Sequence, residues 1–324
     1  MAYQQVGTPR FYINLIEWEG LATDPLFRTL PVNPKTVAGE AYLLGSESEG
    51  VKINGLTEKN FVAVLGHNYI SGSAHQFEIY QGGVNPLDFS TNGNNPLVNW
   101  YTGATAVQNY TNFDGFSIAE INNPIEDNSI SFYQATPDDW GLKIGSIVIG
   151  SYYEMPHSPD LQLSLSYDYS GIKEITTRGG ATLSNTFYSK PPMWGDLGAW
   201  ELGDGSENQN LSRSGRRLWD LSFSFLSQED TLPKYDKLTT IETDDEPTDY
   251  AGETDDSRQY TLQGSDDFYT QVIHKTNGGQ LPFIFQPNKD DNTNFAIAKI
   301  DSGFTFKQVA NCVYNVKMKI REVW

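Results

Sequence analysis

Strict alternation of apolar and polar side chains constrains the fold of this sequence more than any other feature. The alternation runs through residues 161–169 (LQLSLSYDY) and 219–225 (WDLSFSF), and through 314–321 of the closing segment 313–323 (VYNVKMKIREV). Successive side chains of a β-strand point to opposite faces of the sheet, so a period of two is typical of strands with one buried face. In the middle segment we expect one buried face formed by Trp219, Leu221, Phe223 and Phe225. In the closing segment we expect an inward set of Tyr314, Val316, Met318 and Ile320.

Short continuous apolar runs predict a second kind of strand, which is buried on both faces. These runs are residues 11–18 (FYINLIEW), 61–65 (FVAVL), 144–149 (IGSIVI) and 281–286 (LPFIFQ). The chain also contains 18 Tyr and 17 Phe, which favour strands, and 29 Gly, which favours turns. Together these features predict a mainly β fold.

One short helix interrupts the predicted strands. Ser265 is a suitable N-cap, and Asp266 and Asp267 would lie at the positive end of the helix dipole. The sequence Asn277-Gly278-Gly279 would end the helix, because these residues adopt left-handed conformations readily. We expect its buried stripe to consist of Phe268, Val272 and Ile273.

The organisation of the chain is predicted from its prolines, its turns and its acidic run. Pro31 and Pro34 favour an extended connector, which places a boundary near residue 35. Residues 36–171 alternate short strands with turns, which is typical of a β-sandwich or jelly roll. We therefore divide the chain into residues 1–35, 36–171 and 172–324. Within the last part, residues 228–257 are densely acidic and poor in apolar residues, so we interpret them as an exposed loop.

Charge and targeting signals exclude several classes of protein. The net charge of −19 argues against a protein that coats DNA or an anionic membrane, since both attract positive surfaces. The N-terminal sequence lacks the layout of a secretory signal, so we expect synthesis in a cytoplasm. The single cysteine, Cys312, excludes an internal disulfide, and its position beside Val313 suggests an inert thiol in a core strand.

Signatures of catalysis and metal binding are missing from the sequence. There is no GxSxG elbow, and Cys312 has no histidine nearby in the sequence. The spacing of the histidines does not match a metal site, and the acidic run does not match a calcium-binding loop. We therefore expect no catalytic residue, no bound metal and no cofactor. The histidines considered are His67, His75, His157 and His274.

Several segments resemble phage tail proteins. The strand WDLSFSF, the short helix, residues 281–288 (LPFIFQPN) and the closing residues 319–324 (KIREVW) look like the split β-barrel domain of distal tail and minor tail proteins. Residues 60–69 (NFVAVLGHNY) and 144–160 (IGSIVIGSYYEMPHSPD) are similar to jelly-roll modules of the galactose-binding type in phage minor structural proteins. The resemblance covers most of the chain. It implies that FYINLIEW supplies the first strand of the barrel and that residues 36–171 are a jelly roll inserted into it.

The resemblance implies a structural virion protein rather than an enzyme. Proteins of this kind form homo-oligomeric rings in the tail tip or baseplate, where they join the tail tube protein to the tail hub protein. The inserted module would face outward, and DNA would only pass through the lumen. Copies of the chain would meet at the closing strand, through Tyr314, Val316, Lys317, Lys319 and Arg321. The alternative is that this strand lies inside the barrel with a solvated basic face.

Two other functions remain open from the residues alone. The first is a carbohydrate- or receptor-binding module that binds a host surface glycan, because flat rings in polar loops stack on sugar faces. The second is an enzyme acting on polysaccharide, because acidic pairs occur at Asp138-Asp139 and Asp255-Asp256. The aromatic residues could equally anchor their own loop. The candidate sugar-binding residues are Trp100, Tyr101, Tyr110 and Trp140.

Overall fold

The protein is mainly β, as the sequence predicts. The computed structural model describes residues 6–20, 49–52, 56, 59–65, 77–81, 98–99, 109–112, 116–121, 129–134, 146–160, 164–168, 174–184, 216–233, 265–291, 294–301 and 303–323. The strands are β1 (Arg10–Asn14), β2 (Glu49–Lys52), β3 (Asn60–Leu65), β4 (Phe77–Gln81), β5 (Val98–Asn99), β6 (Asn109–Asn112), β7 (Phe116–Ile121), β8 (Ser129–Gln134), β9 (Ser146–Glu154), β10 (Ser164–Asp168), β11 (Glu174–Thr176), β12 (Thr182–Ser184), β13 (Arg216–Ser227), β14 (Phe283–Gln286), β15 (Ala296–Ile300), β16 (Thr305–Ala310) and β17 (Val313–Glu322). Two single-turn helices are α1 (Leu15–Trp18) and α2 (Gln228–Thr231).

An 11-stranded antiparallel sheet joins the two ends of the chain. Its order is β10-β13-β17-β15-β14-β1-β9-β3-β7-β6, and β16 pairs with β17 beside this path. Strand β1 is central, because Tyr12 lies opposite Ile284 of β14 on one side and Tyr152 of β9 on the other. The described residues also form a four-stranded sheet, β2-β8-β4-β5, and a hairpin, β11-β12.

The large sheet mixes strands from all three parts of the predicted division. Strands β3, β6, β7, β9 and β10 come from residues 36–171, yet β9 pairs directly with β1 and β10 pairs with β13. The four-stranded sheet is built from residues 36–171 alone. The division at residues 35 and 171, the split barrel and the jelly-roll insertion stay predictions.

Strand β1 is buried on both faces, as its continuous apolar run predicts. Phe11 and Ile13 belong to one apolar cluster, which also contains Trp219 and Phe268. Tyr12 points the opposite way, into a second cluster around Phe61. The strand therefore connects two cores, and its loss would expose apolar surface in both.

The run FYINLIEW is not a single strand, contrary to the prediction. The strand ends at Asn14, whose side-chain oxygen accepts a hydrogen bond of 3.4 Å from the backbone N–H of Glu17. This is the geometry of an N-cap, so the next residues form the helical turn α1 instead of continuing the strand. Leu15 and Ile16 of that turn are buried.

A β-bulge breaks the alternation that predicts the inner face of β13. Trp219, Leu221 and Phe223 are buried as expected, but Phe225 is 80% exposed. The register against β17 shifts between Phe223 and Leu226, and Phe225 has a φ of 61°. One extra residue in β13 therefore turns Phe225 outward and places Leu226 in the core.

Cys312 is not a core thiol, so that prediction is wrong. It lies in the turn between β16 and β17, with a φ of 57°, and it is exposed. A two-residue turn with a left-handed residue joins antiparallel strands tightly, which explains why the strand begins only at Val313.

The predicted short helix is present and ends as predicted. Its residues Tyr269–Ile273 are π-helical and His274–Thr276 form a 3-10 turn, after which Asn277 takes a left-handed φ of 52°. The helix start differs from the prediction, because the carboxylate of Asp267 accepts the N–H of Thr270 at 2.8 Å. Ser265 instead offers its carbonyl to the side chain of Gln271 at 2.7 Å.

The beginning of the predicted acidic loop, residues 228–257, is folded. Residues Gln228–Thr231 form α2, whose N-cap is Ser227, and Thr231 is fully buried. Ser227 accepts the N–H of Asp230 at 3.1 Å, so the acidic residues here stabilise a helix start rather than an open loop. Residues 234–257 lie outside the described residues.

Candidate functional site

A network of charged and polar side chains holds β1 in the middle of the large sheet. Arg10 Nη1 binds Glu120 Oε1 of β7 at 2.7 Å, and Arg10 Nε binds Glu154 Oε2 of β9 at 2.8 Å. Lys289 Nζ binds the other oxygen of Glu154 at 2.8 Å. The guanidinium also lies 5.2 Å from the centre of the Tyr152 ring. We call this set, with Tyr12 and Gln286, the Arg10 network.

The buried hydroxyl of Tyr12 extends the network inward. It contacts Glu120 Oε1 at 2.6 Å and Gln286 Oε1 at 2.8 Å. Burial, and then the negative charge of Glu120, raise the pKa of Tyr12 well above its ordinary value. The phenol is therefore a neutral hydrogen-bonding group and not a base.

The electrostatics of the Arg10 network favour a structural role. Burial would raise the pKa of Glu154, but hydrogen bonds from Lys289 and Arg10 outweigh burial and lower it. The carboxylate therefore stays charged and paired through the neutral pH range. Because the partners come from β1, β7, β9 and the segment after β14, the network fixes the N-terminal strand to three other parts of the chain.

A second buried ion pair joins β13 to the closing strand. Arg217 Nη2 and Nε bind the two oxygens of Glu322 at 2.8 and 2.9 Å, and both residues are at most 2% exposed. The remaining guanidinium nitrogen donates to Asn294 Oδ1 at 2.8 Å, and Nη2 also reaches the carbonyl of Phe295 at 2.8 Å. The pair is thus fully hydrogen-bonded, which is the condition under which a buried pair is tolerated.

Lys275 is a buried cation in the 3-10 turn of the short helix. It has no exposed surface, and its Nζ donates to Gln271 Oε1 at 2.8 Å. Burial lowers the pKa of Lys275 to about 8, although the charges of Glu19, Asp266 and Asp267 act in the opposite direction. A lysine that loses its proton this easily is a common feature of functional sites, but structural lysines also show it.

We expect the substitution Lys275→Met to remove a pH dependence of stability. The pKa is about 8 in the folded chain and 10.5 ordinarily, so between these values the unfolded chain binds more protons. The free energy of unfolding should therefore rise with pH from about 8 to about 10.5, with a slope of at most about 1.4 kcal/mol per pH unit. Urea unfolding of the wild type and of Lys275→Met at pH 7 to 11 measures this slope. Equal pH profiles of the two proteins would contradict it.

The closing strand β17 is paired along both edges within its own chain. One edge pairs with β13, and the other pairs with β16 and then with β15. Addition of a neighbour's strand to β17 would therefore have to displace a strand of the same chain. Among the described strands, β6 and β10 lie at the ends of the sheet order, and β16 pairs only with β17.

The predicted inter-subunit residues of β17 lie in different environments. Val316 is buried in the chain's own core, Lys317 is exposed, and the rest are half-buried. Lys319 Nζ and Arg321 Nη1 lie 3.7 and 3.8 Å from the carboxylate oxygens of Asp301. Contact between copies through this strand stays a prediction. The half-buried members are Tyr314, Lys319 and Arg321.

The predicted sugar-binding residues fall mostly outside the described residues. This applies to Trp100, Tyr101 and Trp140, and also to the acidic pairs considered for polysaccharide cleavage. Tyr110 lies on β6, the last strand of the sheet order. Glycan binding therefore stays a prediction.

In the part of the chain that the structure describes, no group of three or more His, Cys, Asp or Glu side chains could hold a metal ion. No helix in the same residues is long and apolar enough to cross a membrane.

Sequence reasoning missed a set of exposed apolar side chains. Ile175 and Leu183 of the β11-β12 hairpin are 66% and 60% exposed, and Val309 is 43% exposed. The sequence signal for the hairpin is the pair Gly179-Gly180 between short β-branched segments, which is typical of a tight turn between strands.

The comparisons with known proteins give no relative. No protein-family model matches the chain, and neither a curated protein nor a solved structure matches it.

Proposed function

We propose that this chain is a structural subunit of a phage tail tip or baseplate. In this proposal, copies form a homo-oligomeric ring that joins the tail tube protein to the tail hub protein in the virion. The inserted β-sandwich would face outward, and the chain would have neither a catalytic site nor a cofactor. The resemblance of the terminal segments to the split barrel of distal tail proteins is the starting point.

The position of β1 is the observation that supports this proposal best. A split barrel with an insertion requires the first strand to pair with strands from the far end of the chain. Strand β1 pairs with β14 at residues that are far apart in sequence, such as Phe11 with Phe285. In this arrangement, a module can be inserted in the sequence between β1 and the C-terminal strands while those strands remain paired with β1.

The edges and the charge of the chain also agree with assembly around DNA. Unpaired strand edges are ready sites for pairing with another chain, and rings bring such edges together repeatedly. The net charge of −19 would repel DNA in a lumen and keep it moving. Both points are physical support for the proposal, and neither is specific to phage tails.

Electron microscopy of the purified full-length protein tests the proposal. Negative-stain images and light scattering should show closed rings with a central channel, and antibodies to the chain should label one end of purified tails. Particles without a channel, or tails that antibodies do not label, would contradict the proposal. Purified tails in which mass spectrometry does not detect the protein would also contradict the proposal.

A further inference from the structure

The outward face of β17 and of its neighbours is basic. The even-numbered residues of β17 from 316 to 322 are buried, so the odd-numbered residues point to the opposite face. Residues directly opposite each other in the register share a face, and Lys299 of β15 lies opposite Arg321, while Lys307 of β16 lies opposite Asn315. We call the resulting set the basic face: Lys299, Lys307, Lys317, Lys319 and Arg321.

The negative charge near the basic face is concentrated at one end. Lys319 Nζ and Arg321 Nη1 lie 3.7 and 3.8 Å from the carboxylate of Asp301. Asp220 of β13 also lies opposite Lys319. The other three lysines of the basic face form no ion pair within the described residues. In a chain with 41 acidic and 22 basic residues, the β16 end of this face is therefore a local reversal of the overall sign.

Strand β16 is an open sheet edge beside these lysines. It pairs only with β17 among the described strands, and five of its six residues are exposed. Its register with β17 is regular from Thr305 to Gln308 and shifts only after that. The backbone N–H and C=O groups on the outer edge of this regular part are placed to pair with a further strand.

The two faces of β16 offer a further strand two different chemistries. Lys307 points to the outward face, where Lys317 lies behind Thr305, a residue too short to screen it. On the other face, Phe306 is half-buried at the rim of the core, with its ring centre 5.5 Å from that of Phe304. A strand beside β16 would meet positive charge on one face and aromatic surface on the other.

We infer that β16 binds an acidic, extended segment of a different protein as an added strand. Carboxylates at alternate positions of that segment lie beside Lys307 and Lys317, and the apolar residue between them covers Phe306. The backbone hydrogen bonds supply affinity, and the two faces supply specificity. This contact goes beyond the proposed tail function and does not depend on it.

Charge favours this occupant over a second copy and over nucleic acid. Two copies that met edge to edge at β16 would bring their basic faces together, and lysines on an edge strand oppose such pairing. A nucleic acid has no peptide groups for the edge, and the net charge of −19 repels a long polyanion that extends beyond the basic face. A short acidic segment of a protein meets neither obstacle.

Binding of a synthetic peptide to the full-length protein tests the inference. The probe is a short, fluorescein-labelled peptide in which glutamate alternates with valine, and fluorescence anisotropy measures its affinity. Lys307→Glu should weaken binding at least about tenfold, because it replaces attraction with repulsion beside the added strand. Arg178→Glu is the matched control, since it makes the same change of charge at an exposed residue of the β11-β12 turn. It should bind the peptide like the wild type.

Two further measurements distinguish strand addition from attraction between charges alone. A peptide with proline in place of each valine keeps its charge but loses backbone donors, so it should bind at least about tenfold more weakly. The glutamate-valine peptide should also slow hydrogen exchange of the amides in residues 305–308 that point away from β17.

Each result either supports or overturns the inference. Absence of peptide binding overturns it, and so does binding that Lys307→Glu and Arg178→Glu weaken equally. Peptide binding that leaves the exchange of the β16 amides unchanged overturns the added strand. An oligonucleotide of equal charge that binds more tightly than the peptide would assign the basic face to nucleic acid instead. Self-association of the wild type that Lys307→Glu abolishes would assign the edge to a second copy.

Failure of this inference and failure of the proposed function give different observations. The peptide experiments use the isolated chain, so their failure leaves the proposed ring protein standing. Tails that lack the protein would overturn the proposed function even if the peptide binds β16.

Discussion

Gly150→Ala should lower the free energy of unfolding by about 3 kcal/mol, or prevent folding altogether. Gly150 of β9 lies against β1, and a methyl group there would overlap the carbonyl oxygen of Ile13. It would also lie 3.1 Å from the backbone nitrogen of Leu15. Because backbone atoms on a central strand cannot move aside as a side chain can, β1 would be pushed away from β9. Urea unfolding measures the effect.

Gly179→Ala is the matched control for this substitution. Gly179 lies in the turn of the β11-β12 hairpin, and no atom lies within 4 Å of the position of an added methyl group. Its stability should stay within about 0.5 kcal/mol of the wild type. If Gly150→Ala were as stable as this control, β1 could not be packed against β9 as described.

Arg217→Ala should destabilise the chain by about 3–5 kcal/mol, because it leaves a buried carboxylate without its partner. Glu322 is 1% exposed and receives three hydrogen bonds from Arg217, one of them from the backbone N–H, at 2.8 to 3.0 Å. The substitution also removes the donors to Asn294 and Phe295. Thermal and urea unfolding would report the loss.

Two further variants separate charge burial from simple loss of a side chain. Arg217→Met/Glu322→Leu removes both charges and should recover a large part of the lost stability, since apolar side chains of similar volume often replace buried pairs without cost. Arg178→Ala, at the exposed hairpin tip, should change stability by less than about 0.5 kcal/mol. A double variant as unstable as Arg217→Ala would show that packing, not charge pairing, is what the arginine provides.

Much of the strand structure could be predicted because the periodicity is local. The segments 219–225 and 314–321 alternate cleanly, and they lie within β13 and β17. The apolar run at 61–65 likewise becomes part of a fully buried strand, whereas in the run at 281–286 only residues 283–286 form the buried strand. Apart from the exposed Phe225 and the half-buried Tyr314, the burial pattern follows directly from the residues of each segment.

The exceptions arise where one backbone hydrogen bond or one partner strand decides the structure. Asn14 ends β1 because its side chain caps a helical turn, and the alternation around Phe225 fails because β17 has one residue fewer at that level. Cys312 leaves the strand because the hairpin turn needs a left-handed residue. None of these can be read from hydrophobic periodicity alone.

The polar networks could not be predicted, because their members are far apart in the sequence. Tyr12 meets Gln286, and Arg10 meets Glu120, only after β1 has paired in the centre of the sheet. Arg217 and Glu322 are likewise brought together by the pairing of β13 with β17. An arginine and a glutamate in separate strands give no sign of partnership without the register.

Hydrogen exchange of the backbone amides of β1 tests most directly whether the N-terminal strand belongs to the same folded unit as the C-terminal strands. Strand β1 pairs with β14 and β9 on its two edges, so the amides of residues 11–13 should exchange only on global unfolding. Their exchange free energy should equal that of the amides of β13 and β17. Values lower by about 2 kcal/mol or more would mean that β1 opens independently, and this would contradict a fold in which the two ends of the chain form one sheet.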